Sequence, residues 1–449
     1  MASERHVAVL AFPFATHPSL LFRLVRRIAA AEPDATFTFF CTAKSNARLF
    51  ADQSPPPPGN IKRSDLADAV AESGGGLEDE IGVFLETAAQ SFKNSVAAAE
   101  KESGKRFGCV VADAFMWFAQ AAAGEMGVSW VPVWTSAAAT LLLHLQTDLI
   151  RQTLPPGMGE REDERLTFIP GITEVRVGDI PGGIITGNLE SPFAVMLHKM
   201  GRTLPKATAV AINSFQDLEP AAVNQLKTGS SRILNVGPFN VTAPGPVTAA
   251  AQEEGGGGCM AWLDGQRERS VAYIAFGTVC IPPVKELAAV AEAVEETKTP
   301  FLWSLREEAV MGLPEGFVER TKGYGKIVSW APQVRVLGHG SVGVFVSHGG
   351  WNSVLESITA GVPLICRPFF GDHHMNSWMV ENVWRIGARV ESGVFTTPAT
   401  KSALHSALRG TAFRTQAEAY RDSLRKAVSP NGTSTQDLLT LSSIITARR

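Results

Sequence analysis

Residues 342–357 read VGVFVSHGGWNSVLES, and their order is strand, turn, helix. A short apolar run ends at Ser347 and His348. Gly349 and Gly350 then permit a tight turn and close backbone approach. A helix opens at Trp351-Asn352-Ser353. The first-turn N–H groups of a helix lack intrahelical acceptors, and its dipole is positive there, so this end is an anion site. His348, Asn352 and Ser353 stand beside it, and a pyrophosphate suits it. Glu356 falls four residues after Asn352 and three after Ser353, on the same helix face. A carboxylate there can accept from ribose hydroxyls. A bare turn followed by a solvated glutamate is the plain alternative on this segment alone.

Outward from this unit, short apolar runs alternate with helical patterns along the whole chain, the mark of parallel α/β layers. Strands are expected near 6–12, 36–42, 60–63, 108–113, 129–133 and 208–213, and again near 270–276, 301–305, 326–329, 342–347, 363–366 and 387–391. Among the helices, 19–31 carries Leu20, Leu21, Leu24, Val25 and Ile28 on one face. Others are expected near 284–298, 333–338, 351–360, 374–384 and 400–427. Between the halves, PFNVTAPGPVTAAAQEEGGGG (238–258) has no periodicity and reads as a linker. The expected organisation is an N-terminal domain at 1–240, a linker at 241–258 and a second domain at 259–430. A last helix at 431–449 is expected to pack back towards the first domain. The fold class is α/β, with two Rossmann-like doubly wound domains facing across a cleft.

Composition removes other classes. A net charge of −3 with no basic stripe argues against nucleic-acid binding. Five scattered cysteines with no CxxC pair read as reduced thiols. No apolar stretch reaches the ~18–20 residues of a membrane span, and the N-terminal run is too short for a signal peptide. The expected location is the cytoplasm and the expected state a monomer.

In doubly wound sheets, ligands bind beyond the carboxyl ends of the strands where strand order reverses, between the first and fourth strands. FPFATHP places His17 just past the end of the first strand, and VVAD places Asp113 at the end of the fourth. Adjacent strands lie ~4.8 Å apart, so Asp113 can bond one imidazole nitrogen while the other is left for a substrate. Pro18 suits the start of a helix and makes His17 resemble an N-cap. The positive helix end favours a neutral ring that accepts a proton, and Asp113 fixes its tautomer. A capping histidine and a strand-end aspartate that never meet remain the alternative from these residues alone.

Trp330 follows a short strand and opens WAPQ. Its indole offers a face for stacking a uracil, and Gln333 can read the base edge. Thr278, in FGTV, is expected to face the helix start at 351–353. The run 330–373, WAPQVRVLGHGSVGVFVSHGGWNSVLESITAGVPLICRPFFGDH, resembles the signature box of plant secondary-metabolite UDP-glycosyltransferases. The likeness extends to FPFATH, VVADAFMWFAQ, WTSAAAT, INSFQDLEP and YIAFGT, and is strongest to flavonoid 3-O-glycosyltransferases. It implies the GT-B architecture and inverting transfer without a metal or cofactor, from UDP-galactose or UDP-glucose to a small aromatic acceptor such as a flavonol. It further implies His17 as base and Asp113 as its partner. Trp330, Ala331 and Gln333 would hold the uracil, and Glu356 the ribose. Thr278, His348, Asn352 and Ser353 would surround the diphosphate, and Thr135, Trp351, Asp372 and His373 would meet the sugar. Ala15, Phe115, His144 and Phe370 match positions near the acceptor in relatives, although each has an ordinary packing explanation. Glu78 lies near a family position that often carries Gln.

The box departs from the family's glucosyltransferases at its last position, commonly Gln and here His373. Histidine there resembles the galactose-using members. Glucose and galactose differ only in the direction of O4, and an imidazole and an amide reach it differently. Galactose is the expected donor sugar, with glucose next.

Three rivals remain to be weighed. Gly338-His339-Gly340-Ser341-Val342-Gly343 matches the dinucleotide fingerprint but precedes a strand instead of following one, so a dehydrogenase is disfavoured. A glucosyltransferase acting on another phenolic acceptor is the second. A nucleotide-sugar-binding protein without turnover is the third, and the presence of His17, Asp113 and Asp372 argues against it.

Overall fold

The computed structural model describes residues 5–51, 56–66, 76–154, 162–172, 174–229, 231–240 and 258–447. Two compact units partition the chain: Met1–Val241 with Ala427–Arg449, and Thr242–Lys426. The expected linker at 241–258 lies, but for its last residue, outside the described residues.

The first unit holds a seven-stranded parallel sheet made of β1 (Arg5–Leu10), β2 (Ala35–Thr42), β3 (Ile61–Leu66), β4 (Cys109–Asp113), β5 (Ser129–Trp134), β6 (Ala209–Ile212) and β7 (Arg232–Asn235). Their order is β3-β2-β1-β4-β5-β6-β7. β1 and β4 are therefore neighbours, in register Leu10 to Ala112. The central strands β1, β4, β5 and β6 are apolar along nearly their whole length because a parallel sheet is covered on both faces, whereas the edge strands β3 and β7 are not. Val7, Val9, Phe37, Phe39, Val111 and Val131 form one core with Leu21, Leu24, Val25 and Ile28 of the helix His17–Ala31. The chain's last helix, Thr433–Ile445, belongs to this unit and adds Leu441 and Ile445 to the same core. Asp437 fixes it by accepting the Asn235 N–H at 2.7 Å, and Ser442 donates to Glu32 at 2.7 Å.

The second unit repeats the plan in six strands: β8 (Val271–Ala275), β9 (Phe301–Ser304), β10 (Gly325–Val328), β11 (Val342–Ser347), β12 (Leu364–Cys366) and β13 (Gly387–Arg389). The order β10-β9-β8-β11-β12-β13 again makes the first and fourth strands neighbours. Fully buried Trp303, Phe301, Ile274, Val344 and Val346 fill its core.

Three expectations need correction. β7 was not anticipated: its four residues include only Ile233 and Leu234 as apolar members. The expected helix at 400–427 is two helices, Thr397–Arg409 and Ala412–Ala427, separated at Gly410. A Cβ on Gly410 would lie 2.5 Å from the Ser406 carbonyl oxygen, so the backbone turns there at close quarters. Lastly, His17 is not an N-cap. Thr16 occupies that position, and His17 is the first helical residue, followed by Pro18.

Candidate active site

β1 and β4 end side by side, and the chain beyond β1 turns through Ala15, at φ +50°, into the helix that begins at His17. His17 Nδ1 lies 2.8 Å from Asp113 Oδ2. Asp113 is 1% exposed, and its other oxygen accepts the Phe115 N–H at 3.0 Å. Thr135, just past β5, brings its hydroxyl to 3.4 Å from the same His17 nitrogen. Phe12 stands edge-on to the imidazole at 5.2 Å, and Phe115 tilts over it at 4.6 Å. The ring is thus held by an anion on one nitrogen and walled by aromatics, while its side chain keeps 17% exposure. A carboxylate accepting from Nδ1–H leaves the lone pair on Nε2. Strand order pairs Asp113 with His17, whereas Thr135 is expected only as a sugar contact from the family resemblance; sequence reasoning missed Phe12, and its place in FPFATH is the signal that could have found it. His144 packs on Trp134 at 5.7 Å and not on His17, while Trp134 reaches Phe115 at 6.0 Å. Ala15 is exposed, as is Glu78 in the first turn of the helix Leu77–Ser103.

In the second unit, β11 ends at Ser347, and Gly349 takes φ +78°. A Cβ there would fall 2.6 Å from the Ser377 hydroxyl, so only glycine passes this point. The helix Trp351–Ala360 begins behind Gly350 with no side chain capping its start. The Trp351 indole is committed to the core against Trp384 at 6.0 Å. His348 stands between Gly277 and Gly350, neither of which has room for a side chain beside the ring. Thr278, next to Gly277, is exposed in the turn after β8, and its carbonyl accepts from Arg306.

Gln333 joins three partners. The Tyr273 hydroxyl donates to its carbonyl oxygen at 3.2 Å, and its NH2 donates to Glu356 at 2.6 Å and to Ser353 at 3.1 Å. Burial, and then the Glu356 charge, raise the Tyr273 hydroxyl's pKa, so it stays a donor. Tyr273 was not singled out from sequence; its partner Gln333 is 60 residues away. Ala331 is buried beside this group, and Trp330 presents an indole 56% exposed just past β10.

A third group is His348, His373 and Phe370. The two imidazoles meet perpendicularly at 4.8 Å, and Phe370, 51% exposed, tilts on His373 at 4.7 Å. Burial pushes both histidines down to about 3; His373 adds to the effect on His348, and His374 to that on His373. Both rings are therefore neutral near pH 7. The Phe370 N–H donates to His373 Nδ1 at 3.4 Å. A neutral ring accepting at Nδ1 carries its proton on Nε2, so His373 offers a donor there. Asp372, partly exposed, precedes the helix His373–Asn382, and its carbonyl accepts from Asn376.

The two sheets share one strand order, and each places chemistry-bearing side chains beyond its first and fourth strands. That combination is the GT-B arrangement, and the likeness to known proteins makes its class that of glycosyltransferases using a nucleotide sugar. A family model described as "UDP-glucoronosyl and UDP-glucosyl transferase" matches residues 76–421. The chain is 51% identical over 453 residues to an anthocyanidin 3-O-galactosyltransferase of Actinidia chinensis var. chinensis, covering 99% of this chain and 98% of that one. It is 47% identical over 447 residues to an anthocyanidin 3-O-glucosyltransferase of Vitis vinifera, covering 98% and 97%. A solved structure of a UDP-glucose: anthocyanidin 3-O-glucosyltransferase in complex with UDP is similar with TM-score 0.92 at 37% identity, over 99% of both chains. The chain belongs to the UDP-glucuronosyl and UDP-glucosyl transferase family. Among the described residues no helix is long and apolar enough to cross a membrane.

Proposed function

We propose that this chain transfers a hexose from a UDP-sugar to the 3-hydroxyl of a flavonol or anthocyanidin, with inversion and without a metal, galactose being favoured over glucose. The relatives named above act on anthocyanidins with one or the other sugar. The observation that carries a catalytic reading is the His17–Asp113 contact at 2.8 Å with Nε2 left to an acceptor.

His17 Nε2 takes the proton of the acceptor hydroxyl, and Asp113 stabilises the imidazolium that results. The oxygen attacks the anomeric carbon in line as the bond to the β-phosphate oxygen breaks. An α-linked donor gives a β-glycoside and UDP. In the second unit the start of the helix Trp351–Ala360, with His348, Asn352, Ser353 and Thr278, receives the diphosphate charge as it develops. Trp330, Ala331 and Gln333 take the uracil and Glu356 the ribose. Thr135, Asp372, His373 and the backbone of Trp351 meet the hexose, while Ala15, Phe115, His144 and Phe370 belong to the acceptor side. The His373 Nε2–H favours galactose because it offers a donor in one fixed direction, whereas an amide offers both a donor and an acceptor. The chain is proposed to act as a monomer in the cytoplasm, a compartment in which its five buried, unbridged cysteines stay reduced.

The test is a mass-spectrometric screen of UDP-galactose and UDP-glucose against several flavonols and anthocyanidins, with and without EDTA. A β-linked 3-O-galactoside formed equally well in chelator is expected. A tenfold preference for UDP-glucose overturns the sugar assignment, and binding of UDP with no transfer to any acceptor overturns the enzyme.

A further inference from the structure

Arg367 directly follows β12 and opens the stretch Arg367-Pro368-Phe369-Phe370-Gly371-Asp372-His373. Each of its three guanidinium nitrogens donates a hydrogen bond. Nε lies 2.9 Å from Glu286 Oε2, and Nη2 lies 2.5 Å from Glu286 Oε1. Nη1 donates to the Pro368 carbonyl at 2.7 Å, and the guanidinium plane covers the Phe369 ring at 3.9 Å. The Arg367 backbone N–H donates to the carbonyl of Ser347, the residue before His348. Glu286 sits in the first turn of the helix Val284–Thr297, buried, and also accepts the Phe395 N–H at 2.9 Å. Phe369 packs edge-on to Phe276, and Phe276 to Phe395. Arg367 thus ties the root of the 368–373 loop to the end of β11 through its backbone N–H, and to the helix that follows the Gly277–Thr278 turn through its side chain.

A buried ion pair is a poor source of stability, because desolvating both charges offsets much of their attraction, and a well-packed apolar pair often does as well. What a bidentate fork supplies is direction, since the two planar groups fit in one geometry only. The loop it directs carries Phe370, Asp372 and His373. The path of its backbone also aims the Phe370 N–H at His373 Nδ1, which sets the tautomer of that ring.

We infer that Arg367 and Glu286 are positioning residues for hexose selection: their fork fixes the direction of the loop bearing Asp372 and His373. The inference rests on the functional reading above. It differs from a merely structural role in what it leaves alone. The uracil and ribose groups stand on other segments, and the backbone bond from Arg367 to Ser347 at the root of the diphosphate turn survives loss of the side chain, so loss of the fork disturbs recognition of the sugar and spares that of UDP.

The experiment compares wild type with Arg367→Lys and with the apolar double variant Arg367→Met/Glu286→Leu. Calorimetry gives the affinities for UDP, UDP-galactose and UDP-glucose, steady-state rates give kcat/KM with both donors, and thermal unfolding reports the fold. In Arg367→Lys the affinity for both UDP-hexoses drops about tenfold while that for UDP changes less than about twofold, and the galactose-to-glucose ratio moves towards one. The double variant melts no lower than Arg367→Lys yet shows the same lost selectivity. Parallel weakening of UDP and UDP-hexoses, or an unmoved sugar ratio in a folded variant, overturns the inference. A wild type that turns over neither donor refutes the functional reading instead, and the UDP-hexose to UDP affinity ratio still tests the fork.

Discussion

His17 and Asp113 are 96 residues apart in the chain, and their side chains meet at 2.8 Å because β1 and β4 are neighbours in the sheet. Among the described residues the aspartate side chain otherwise accepts the Phe115 N–H, which holds it in place beside the ring. His17→Ala is expected to cut kcat at least ~10²-fold and to leave UDP affinity unchanged, since the proposed UDP groups lie in the other unit. Asp113→Asn replaces an acceptor with an amide that can donate to Nδ1, favouring the wrong tautomer. It should fall by a similar factor with its fold intact. Steady-state rates beside UDP calorimetry check both, and a weakening of UDP equal to the loss in rate would deny the base its role.

His348 has glycine on both sides. A Cβ on Gly277 would come 2.9 Å from its Cε1, and one on Gly350 would collide with Nε2. Gly277 also holds φ +74°, which a side chain disfavours. Gly350→Ala should displace the imidazole and weaken UDP binding about tenfold or more, and Gly277→Ala should add backbone strain to a similar loss. His17 is in the other unit, so its local geometry is spared. UDP calorimetry that leaves both variants at wild-type affinity would remove His348 from the diphosphate site.

His373→Gln tests the sugar assignment. The imidazole offers Nε2–H and no acceptor, because Nδ1 takes the Phe370 N–H. A glutamine places a donor and an acceptor near the same hydroxyl. The kcat/KM ratio of UDP-galactose to UDP-glucose is expected to fall at least several-fold, within the ~1–3 kcal/mol that one changed contact supplies. An unchanged ratio measured with both donors would detach this residue from O4.

The two histidines also set an acid limit on stability. Both are cationic below about 6.5 when unfolded, and both stay neutral down to about 3 in the folded chain. The unfolded state therefore binds more protons in that window, so stability is full above pH 6.5 and is lost as pH falls towards 3. Each contributes a slope of up to about 1.4 kcal/mol per pH unit. His373→Gln should flatten the denaturant-midpoint profile between pH 6.5 and 4 by about one proton. A profile parallel to that of wild type would mean the ring is not held neutral.

How much of this was legible from residues depends on whether the determinant is local. The turn after β11 was readable because an apolar run, two glycines and a helix start lie within sixteen consecutive residues. His17 and Asp113 were readable at one remove, since strand order follows from α/β alternation and the switch point then pairs two strand ends. The doubly wound order β3-β2-β1-β4 was expected and is present. β7 was not legible because an edge strand of four residues has too little pattern to show a period. The break at Gly410 was hidden by helical periodicity on both sides of it. The Glu286–Arg367 fork and the Tyr273–Gln333 bond join residues 81 and 60 apart through side chains alone, and no local pattern encodes such partners.

Glu219 is the same kind of hidden determinant, and it carries a pH signature. Its buried carboxylate accepts the N–H groups of Ala138 and Ala139 at 2.8 and 2.9 Å, and the Ser214 hydroxyl at 3.3 Å. It thereby anchors the start of the helix Ala138–Leu145, which follows Thr135 and bears His144. Burial pushes its pKa up to about 7, and the two backbone N–H groups oppose that push. Between about pH 4.5 and 7 the folded state holds a proton that the unfolded state releases, so this group's contribution declines as pH rises through that window. Glu219→Gln keeps the shape and removes the titration. One of its two terminal groups is a donor facing a backbone N–H, so a bond is lost at a cost of about 1–3 kcal/mol. The variant should be the less stable protein at pH 5, and the gap should narrow as pH approaches 8, where wild type bears a buried charge. Denaturant midpoints at the two pH values decide it: a gap that widens with pH would show the carboxylate to be stabilised, not penalised, by its surroundings.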